Sequence, residues 1–461
     1  MSNPPYLTAP VSTDKMPPGL PYIIGNEAAE RFNFYGMRGI LFVFMTKYLV
    51  DRTGAPAPMA ESDANQWVHF FLFVNYFFPM LGALTADIFL GKYRTIFWLS
   101  LVYCSGNVVL ALDHTRVGLT LGLTLIAIGS GGIKPCVSSH VGDQFGPGNQ
   151  HLLARAFGWF YLSINVGSSI SLWVIPLLLA KYGATSAFGL PAVLMLLATI
   201  VFWSGRYKFA HIPPGGKQFV REVFSREGAT TLGRLALIFM FLIPFWSLWD
   251  QSASEWIGQA EKMNLNVLGF TFLASQIQVV NAVMIVLFIP LFQFVIYPLM
   301  NRVWKLTPLR KIGLGIFTIG LSFLVSAWIE AKIQTGVKPS ILWQLPAYAL
   351  LTAGEVMASI TPLEFAYTQA PKVMKSVVQS LFLLSIALGN LFTTLVYFFI
   401  KNPDGSLKLH GPAYYCFYAG LAVAASIVFA FVAMRYREKS HIIGSEPVPA
   451  SEARAEAVGA T

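Results

Sequence analysis

Apolar runs of about 20 residues recur along the whole chain, and they confine it to one architectural class. In hydrocarbon, each backbone N–H and C=O has to be satisfied within its own segment or in a closed sheet, so runs of this length fold as spanning helices. Twelve such runs can be counted, near 21–49, 66–89, 94–112, 117–138, 153–180, 186–205, 234–256, 271–300, 309–330, 340–366, 375–400 and 412–435. Charged residues make up only 12% of the chain, about half the share usual in soluble domains. The expectation is an all-α, multi-pass membrane protein.

The formal charge of +10 does not indicate nucleic acid, because the basic residues sit in short loops where they set topology. One set of loops is rich in them: Lys92 and Arg94, Arg206 to Arg226, Arg302 to Lys311, Lys372 and Lys375, and Arg435 to Lys439. The alternate loops carry far fewer, so both termini are expected in the cytoplasm. The organisation expected is a polar segment 1–20 with no apolar signal-peptide core, a six-span half 21–205, a basic loop 206–233, a second six-span half 234–440, and a disordered cytoplasmic tail 441–461. Cys104, Cys136 and Cys416 all fall within spans, which suggests neither a disulfide framework nor a metal site. The chain has no Walker A loop, HExxH or GxSxG, which argues against ATP-driven transport and intramembrane hydrolysis. No enzyme activity and no cofactor are expected.

The first span reads EAAERFNFYGMR between Glu27 and Arg38. At about 100° per residue, Glu27, Glu30, Arg31, Tyr35 and Arg38 fall in one sector of the helix. Each charge costs about 2.5–3.5 kcal/mol at a helix centre, so one charged face is tolerable where it lines a wet cavity. A lone structural pair of Glu30 with Arg31 would leave a second acid and a second arginine unexplained. A charged, cavity-facing first span marks a transporter. Lys134, in GSGGIKPC beside a Gly- and Pro-containing break, reads either as a cavity cation or as a lysine snorkelling to the interface. Asn165, between Ile164 and Val166 in FYLSINVGSS, reads either as a ligand or as a packing hydrogen bond. After the second span, Asp87, Gly91 and Arg94 in GALTADIFLGKYRT resemble the G-x-x-x-D-x-x-G-R/K loop of major-facilitator transporters at a looser spacing, with Asp87 expected to pair across a cytoplasmic gate. The corresponding copy after the eighth span is degenerate. Two six-span halves are also the layout of that superfamily.

The motif E-x-x-E-R-F-x-[YF]-Y-G (Glu27, Glu30, Arg31, Phe32, Tyr35, Gly36), together with GGIKPC and FYxxINxG, resembles the proton-coupled oligopeptide transporter family. FWSLWDQ, QVVNAVMIVLFIPLF and LTAGEVMASITPLEFAYTQAPKVMKSVVQS, with Glu355, extend the resemblance over nearly the whole membrane domain. The resemblance implies a major-facilitator fold and a symporter importing di- and tripeptides with protons by alternating access. It also implies site roles. Arg31, Arg38 and Lys134 would take the peptide carboxylate; Asn165, Asn281 and Glu355 the amine and backbone; Tyr35 and Tyr76 would hydrogen-bond the peptide; Trp246 and Phe382 would line side-chain pockets. Glu27, Glu30 and Glu355, with Arg31, would couple protons, and His69 stands where animal members carry a coupling histidine. Asp250 would pair with Arg38 as an outer gate, and Glu355 is expected to pair with Lys134 or Arg31 in the empty carrier. The chain departs from the family in three places: no extra helices between the halves, a short loop 330–339, and Phe382 where tryptophan is usual. The partners implied are small peptides, protons and the bilayer, with no nucleic acid, for a monomer in a bacterial inner membrane. The alternatives are a relative moving another small anionic solute, or a peptide-sensing exchanger without net proton-driven uptake.

Overall fold

The structure, a computed structural model, describes residues 6–223, 225–362, 365, 375–402 and 406–436. The expected tail 441–461 and the loop cations Lys372, Arg437 and Lys439 lie outside the described residues. Most of the described chain is helical, and its one two-stranded sheet among the described residues is a short antiparallel hairpin that pairs Asn266–Val267 with Phe270–Thr271.

The first half contains α1 (Leu20–Lys47), α2 (Glu61–Thr85), α3 (Lys92–Leu112), α4 (Arg116–Gly142) and α5 (Leu153–Ser204). α1 runs through the interior: Asn26, Glu27, Glu30, Asn33 and Arg38 are all buried, so its charges face protein rather than lipid. α4 is continuous through Pro135, where the sequence suggested a break. Its glycines serve packing instead. A Cβ at Gly82 would stand 2.4 Å from the Gly132 Cα, so α2 and α4 touch backbone to backbone. α5 covers both the fifth and sixth expected spans, and their separation is a single residue. Gly183 has φ 79°, a conformation open to glycine and strained for other residues, and the chain turns there.

The basic loop expected at 206–233 is partly helical. α6 (Gly216–Val223) has eight residues, about 12 Å of helix and too short to cross a bilayer. α7 (Arg226–Met240) begins eight residues before the expected span, capped by Ser225 accepting from the Gly228 N–H. α8 (Leu242–Trp249) continues through a 3₁₀ turn into α9 (Glu255–Glu261), bent 46° from α7; Pro244, which has no N–H to donate, lies just past the bend. There follow α10 (Val279–Leu291), α11 (Tyr297–Val303), α12 (Pro308–Gln334), α13 (Gln344–Glu355), α14 (Lys375–Ile400) and α15 (Pro412–Arg435). α1 packs on α5, α12 on α15, and α2 crosses to the second half to pack on α14.

Among the described residues, eight helical stretches are long and apolar enough to cross a membrane, or nine with the bent pair, against twelve expected. The shortfall has local causes. α1 is long enough at 28 residues but carries the charged face; the two arms of α5, parted only by the turn at Gly183, count as one stretch; and the tenth expected span, 340–366, runs from α13 through a π-helical turn into residues outside the described set. The N-terminal segment is also not free-standing: Leu7 bridges Ala210, the Leu7 carbonyl accepts from the His211 N–H at 2.6 Å, and Asn149 Nδ2 donates to the Lys15 carbonyl at 3.1 Å.

Candidate functional site

A cavity of about 170 Å³ lies between the halves. α1 gives it Tyr35 and Arg38; α5 gives Tyr161, Asn165 and Ser168; α8 ends in Trp249; Gln278 and Asn281 stand at the start of α10; Glu355 closes α13. Glu355 immediately precedes the π-helical turn Val356–Ile360, whose Ser359 also lines the cavity; such turns widen a helix and recur at functional positions. Asn281 Nδ2 donates to Glu355 Oε2 at 2.8 Å and to Thr352 Oγ1 at 3.0 Å. The cavity wall therefore carries a guanidinium from one half and a carboxyl group from the other.

Beside the cavity sits a buried charge cluster. Arg31 Nε lies 2.6 Å from Glu27 Oε1 and 3.1 Å from Glu30 Oε2, while Ser130 Oγ donates to Glu30 Oε1 at 2.7 Å. Lys134 Nζ lies 3.5 Å above the Phe34 ring and 4.7 Å from that of Tyr76. It has no hydrogen-bond partner among the described residues. Aromatic faces attract an ammonium, yet a buried cation without an acceptor remains costly, so this site would gain from an incoming anion. The expected pairing of Glu355 with Lys134 or Arg31 is absent: Arg31 is held by Glu27 one turn before it and by the adjacent Glu30, and Glu355 by Asn281.

Arg38 Nη2 meets Asp250 Oδ1 at 2.7 Å, with its guanidinium 4.7 Å from the Trp249 ring. Asn390 Nδ2 donates to Asp250 Oδ2 at 2.5 Å, its Oδ1 lies 2.8 Å from His69 Nδ1, and His69 Nε2 lies 3.1 Å from Ser254 Oγ. A single hydrogen-bonded chain thus joins Arg38, Asp250, Asn390, His69 and Ser254. Further pairs close the same end between the halves: Lys47 with Glu261 at 2.5 Å, Lys262 with Glu61 at 2.9 Å, Lys401 with Asp63, and Asn65 Nδ2 donating to Glu255 Oε2 at 2.7 Å.

Several of the expected residues stand elsewhere. Trp246 and Phe382 do not line the cavity; they pack on each other at 5.8 Å, behind Trp249. Tyr76 faces Lys134 rather than the cavity. Asp87 forms no ion pair among the described residues and Arg94 is exposed; the pair at that end is Lys92 Nζ with Asp143 Oδ2 at 2.7 Å. Burial holds the Asp143 carboxyl above its ordinary range, although Lys92 pulls it down. Sequence reasoning missed Tyr161, one helical turn before Asn165, and Trp249, three residues after Trp246. It also missed Asn390, which no local pattern marks.

The POT family model matches residues 93–227 and 225–414, more than half of the chain. Peptide transporter family 1 of Drosophila melanogaster is 38% identical over 365 residues, covering 69% of this chain and 48% of the relative. Solute carrier family 15 member 2 of Homo sapiens is 35% identical over 400 residues, covering 71% and 54%. The chain thus spans about half the length of the curated relatives it matches. Among solved structures, an auto-inhibited POT family peptide transporter superposes with TM-score 0.82 at 35% identity, covering 93% of this chain and 99% of that one. The POT family transporter PepTSo gives TM-score 0.82 at 38% identity, covering 92% and 99%. The fold is the helical one of these transporters, and the chain belongs to the POT family.

Proposed function

We propose that this protein is a proton-coupled symporter that carries di- and tripeptides across a cell membrane by alternating access. The observation that carries this reading is the cavity walled by Arg38 from one half and Glu355 from the other, with Tyr35, Asn165 and Asn281 also in its wall. A zwitterionic peptide presents one charge of each sign at nearly fixed spacing, and a cavity built from both halves can read both ends while drawing them together. Relatives named as peptide transporters support the same substrate class.

Glu355 and Asn281 receive the peptide ammonium, Asn281 turning from Glu355 to the peptide backbone as the ammonium takes its place. Lys134, Arg38 and Arg31 attract the carboxylate. Protonation of Glu27 or Glu30 loosens the hold on Arg31 and frees it to serve the substrate, which ties peptide binding to proton occupancy. Side chains of differing size are met by water, since a bridging water costs about 0–2 kcal/mol. Closure by Arg38 and Asp250, with the pairs beyond them, forms the outer gate. In this reading the chain makes twelve crossings as a monomer of a bacterial inner membrane, both termini in the cytoplasm. The roles of His69, Tyr76, Trp246 and Phe382 are indirect, through the gate, Lys134 and Trp249.

Competition tests two-ended recognition. Unlabelled dialanine and trialanine should block uptake of labelled dialanine, whereas N-acetylated or C-amidated dialanine should block it weakly. Equal inhibition by all four would remove the proposed reading of both peptide ends.

A further inference from the structure

Phe241, the residue after α7, packs against the buried Phe429 of α15 with the ring centroids 5.3 Å apart. Beside this contact, between the middle of α7 and the last turns of α15, lies a groove of about 620 Å³. Leu237, Val428, Phe431 and Val432 form its apolar walls, and Arg234, Arg435 and Tyr436 complete the lining. Leu237, Val428 and Phe431 are exposed, as are both arginines. Among the described residues, no acidic residue lines the groove and neither arginine forms an ion pair.

Three features narrow the occupant. Two guanidinium groups in the lining select an anion, and their planar forks suit phosphate oxygens. The remaining wall is apolar and faces outward from the helix bundle, so a free aqueous anion would leave most of the groove against nothing that matches it. Arg435 lies in the last turn of α15, on the side where the loops are richest in Lys and Arg, as expected for an interface with acidic headgroups. We propose that this groove binds an anionic phospholipid of the surrounding bilayer, its phosphate between Arg234 and Arg435 and an acyl chain along Leu237, Val428 and Phe431. This site depends on the fold being in a membrane and is independent of the solute carried.

The test is thermal unfolding of the full chain in detergent micelles, titrated separately with phosphatidylglycerol, phosphatidylcholine of the same chains, and inorganic phosphate. Phosphatidylglycerol should raise the midpoint saturably, and the other two should not. At about 1 kcal/mol per arginine near a charged surface, the Arg234→Gln, Arg435→Gln pair should raise the half-saturating lipid concentration roughly thirtyfold. Arg302→Gln, an exposed arginine outside the groove, should leave it unchanged. Should the double glutamine variant fail to fold, the double lysine variant keeps the charge but loses the fork, and weaker saturable binding by it supports the site. Unchanged lipid dependence in either double variant overturns the proposal. An equal shift with phosphatidylcholine, or with phosphate alone, overturns it too.

Discussion

Arg38 and Asp250 stand 212 residues apart in the chain, yet Nη2 and Oδ1 are 2.7 Å apart in the interior, with both side chains buried. The pair ties the first helix of one half to the end of α8 in the other. Breaking a buried pair by removing one partner typically costs about 3–5 kcal/mol, because the remaining charge is left uncompensated. Asp250→Ala should therefore favour the state open at this end. In a Cys416→Ser background, Ser252→Cys lines the cavity and should react faster with a membrane-impermeant maleimide once Asp250→Ala is added. An unchanged labelling rate would remove Asp250 from the gate.

The grip of Glu27 and Glu30 on Arg31 supplies the proposed proton coupling. Glu30→Gln keeps the hydrogen bond available to Ser130 but lacks the charge that alternates with pH. It should abolish gradient-driven accumulation of dialanine while leaving peptide exchange across the membrane measurable. Full gradient-driven accumulation by this variant would sink the assignment of Glu30.

Among the described residues, Glu355 is the one carboxylate in the cavity wall. A hydrogen bond to a charged group is worth about 1.5–3 kcal/mol, so Glu355→Gln should weaken dialanine binding roughly tenfold to a hundredfold. Binding by isothermal calorimetry checks this, and the loss should be much smaller for a dipeptide whose N-terminus is acetylated. An equal loss for both ligands would place Glu355 away from the ammonium.

The meeting of α2 and α4 leaves no room for a side chain at Gly82, where a Cβ would come within 2.5 Å of the Gly132 carbonyl oxygen. Gly82→Ala should lower stability by about 1–3 kcal/mol, the usual penalty for overpacking. Gly142→Ala, with nothing within 4 Å of the added Cβ, is the neutral control. Both are read by thermal unfolding in detergent, and similar midpoints for the two variants would contradict the packing described.

Much of this architecture is legible in hydropathy. The spans at 375–400 and 412–435 coincide with α14 and α15, because apolar length is read directly from sequence. Limits fixed by local backbone are less visible. A separation of only one residue at Gly183 merges two spans, and Ser225 starts α7 within residues that read as a basic loop. Within the site, Glu27, Glu30, Arg31 and Arg38 announce themselves because charge is rare in an apolar run. Their partners do not, since they are fixed by tertiary packing: nothing in the sequence selects Asn281 over Lys134 for Glu355, or Lys92 with Asp143 over Asp87. Asn390, buried in an apolar helix and bonded to a residue 140 positions away, is legible only once α14 is set beside α8.

Proton-driven peptide symport is tested most directly by uptake of labelled dialanine into proteoliposomes containing this protein. An inward proton gradient with a negative interior should drive internal dialanine above the external concentration, and a protonophore should collapse it. The membrane potential alone contributes about 2.3 kcal/mol per charge per 100 mV, ample for measurable accumulation of a neutral peptide with one proton. Equilibration without accumulation, unaffected by the gradient, would contradict coupling, and no peptide entry at all would contradict the substrate class.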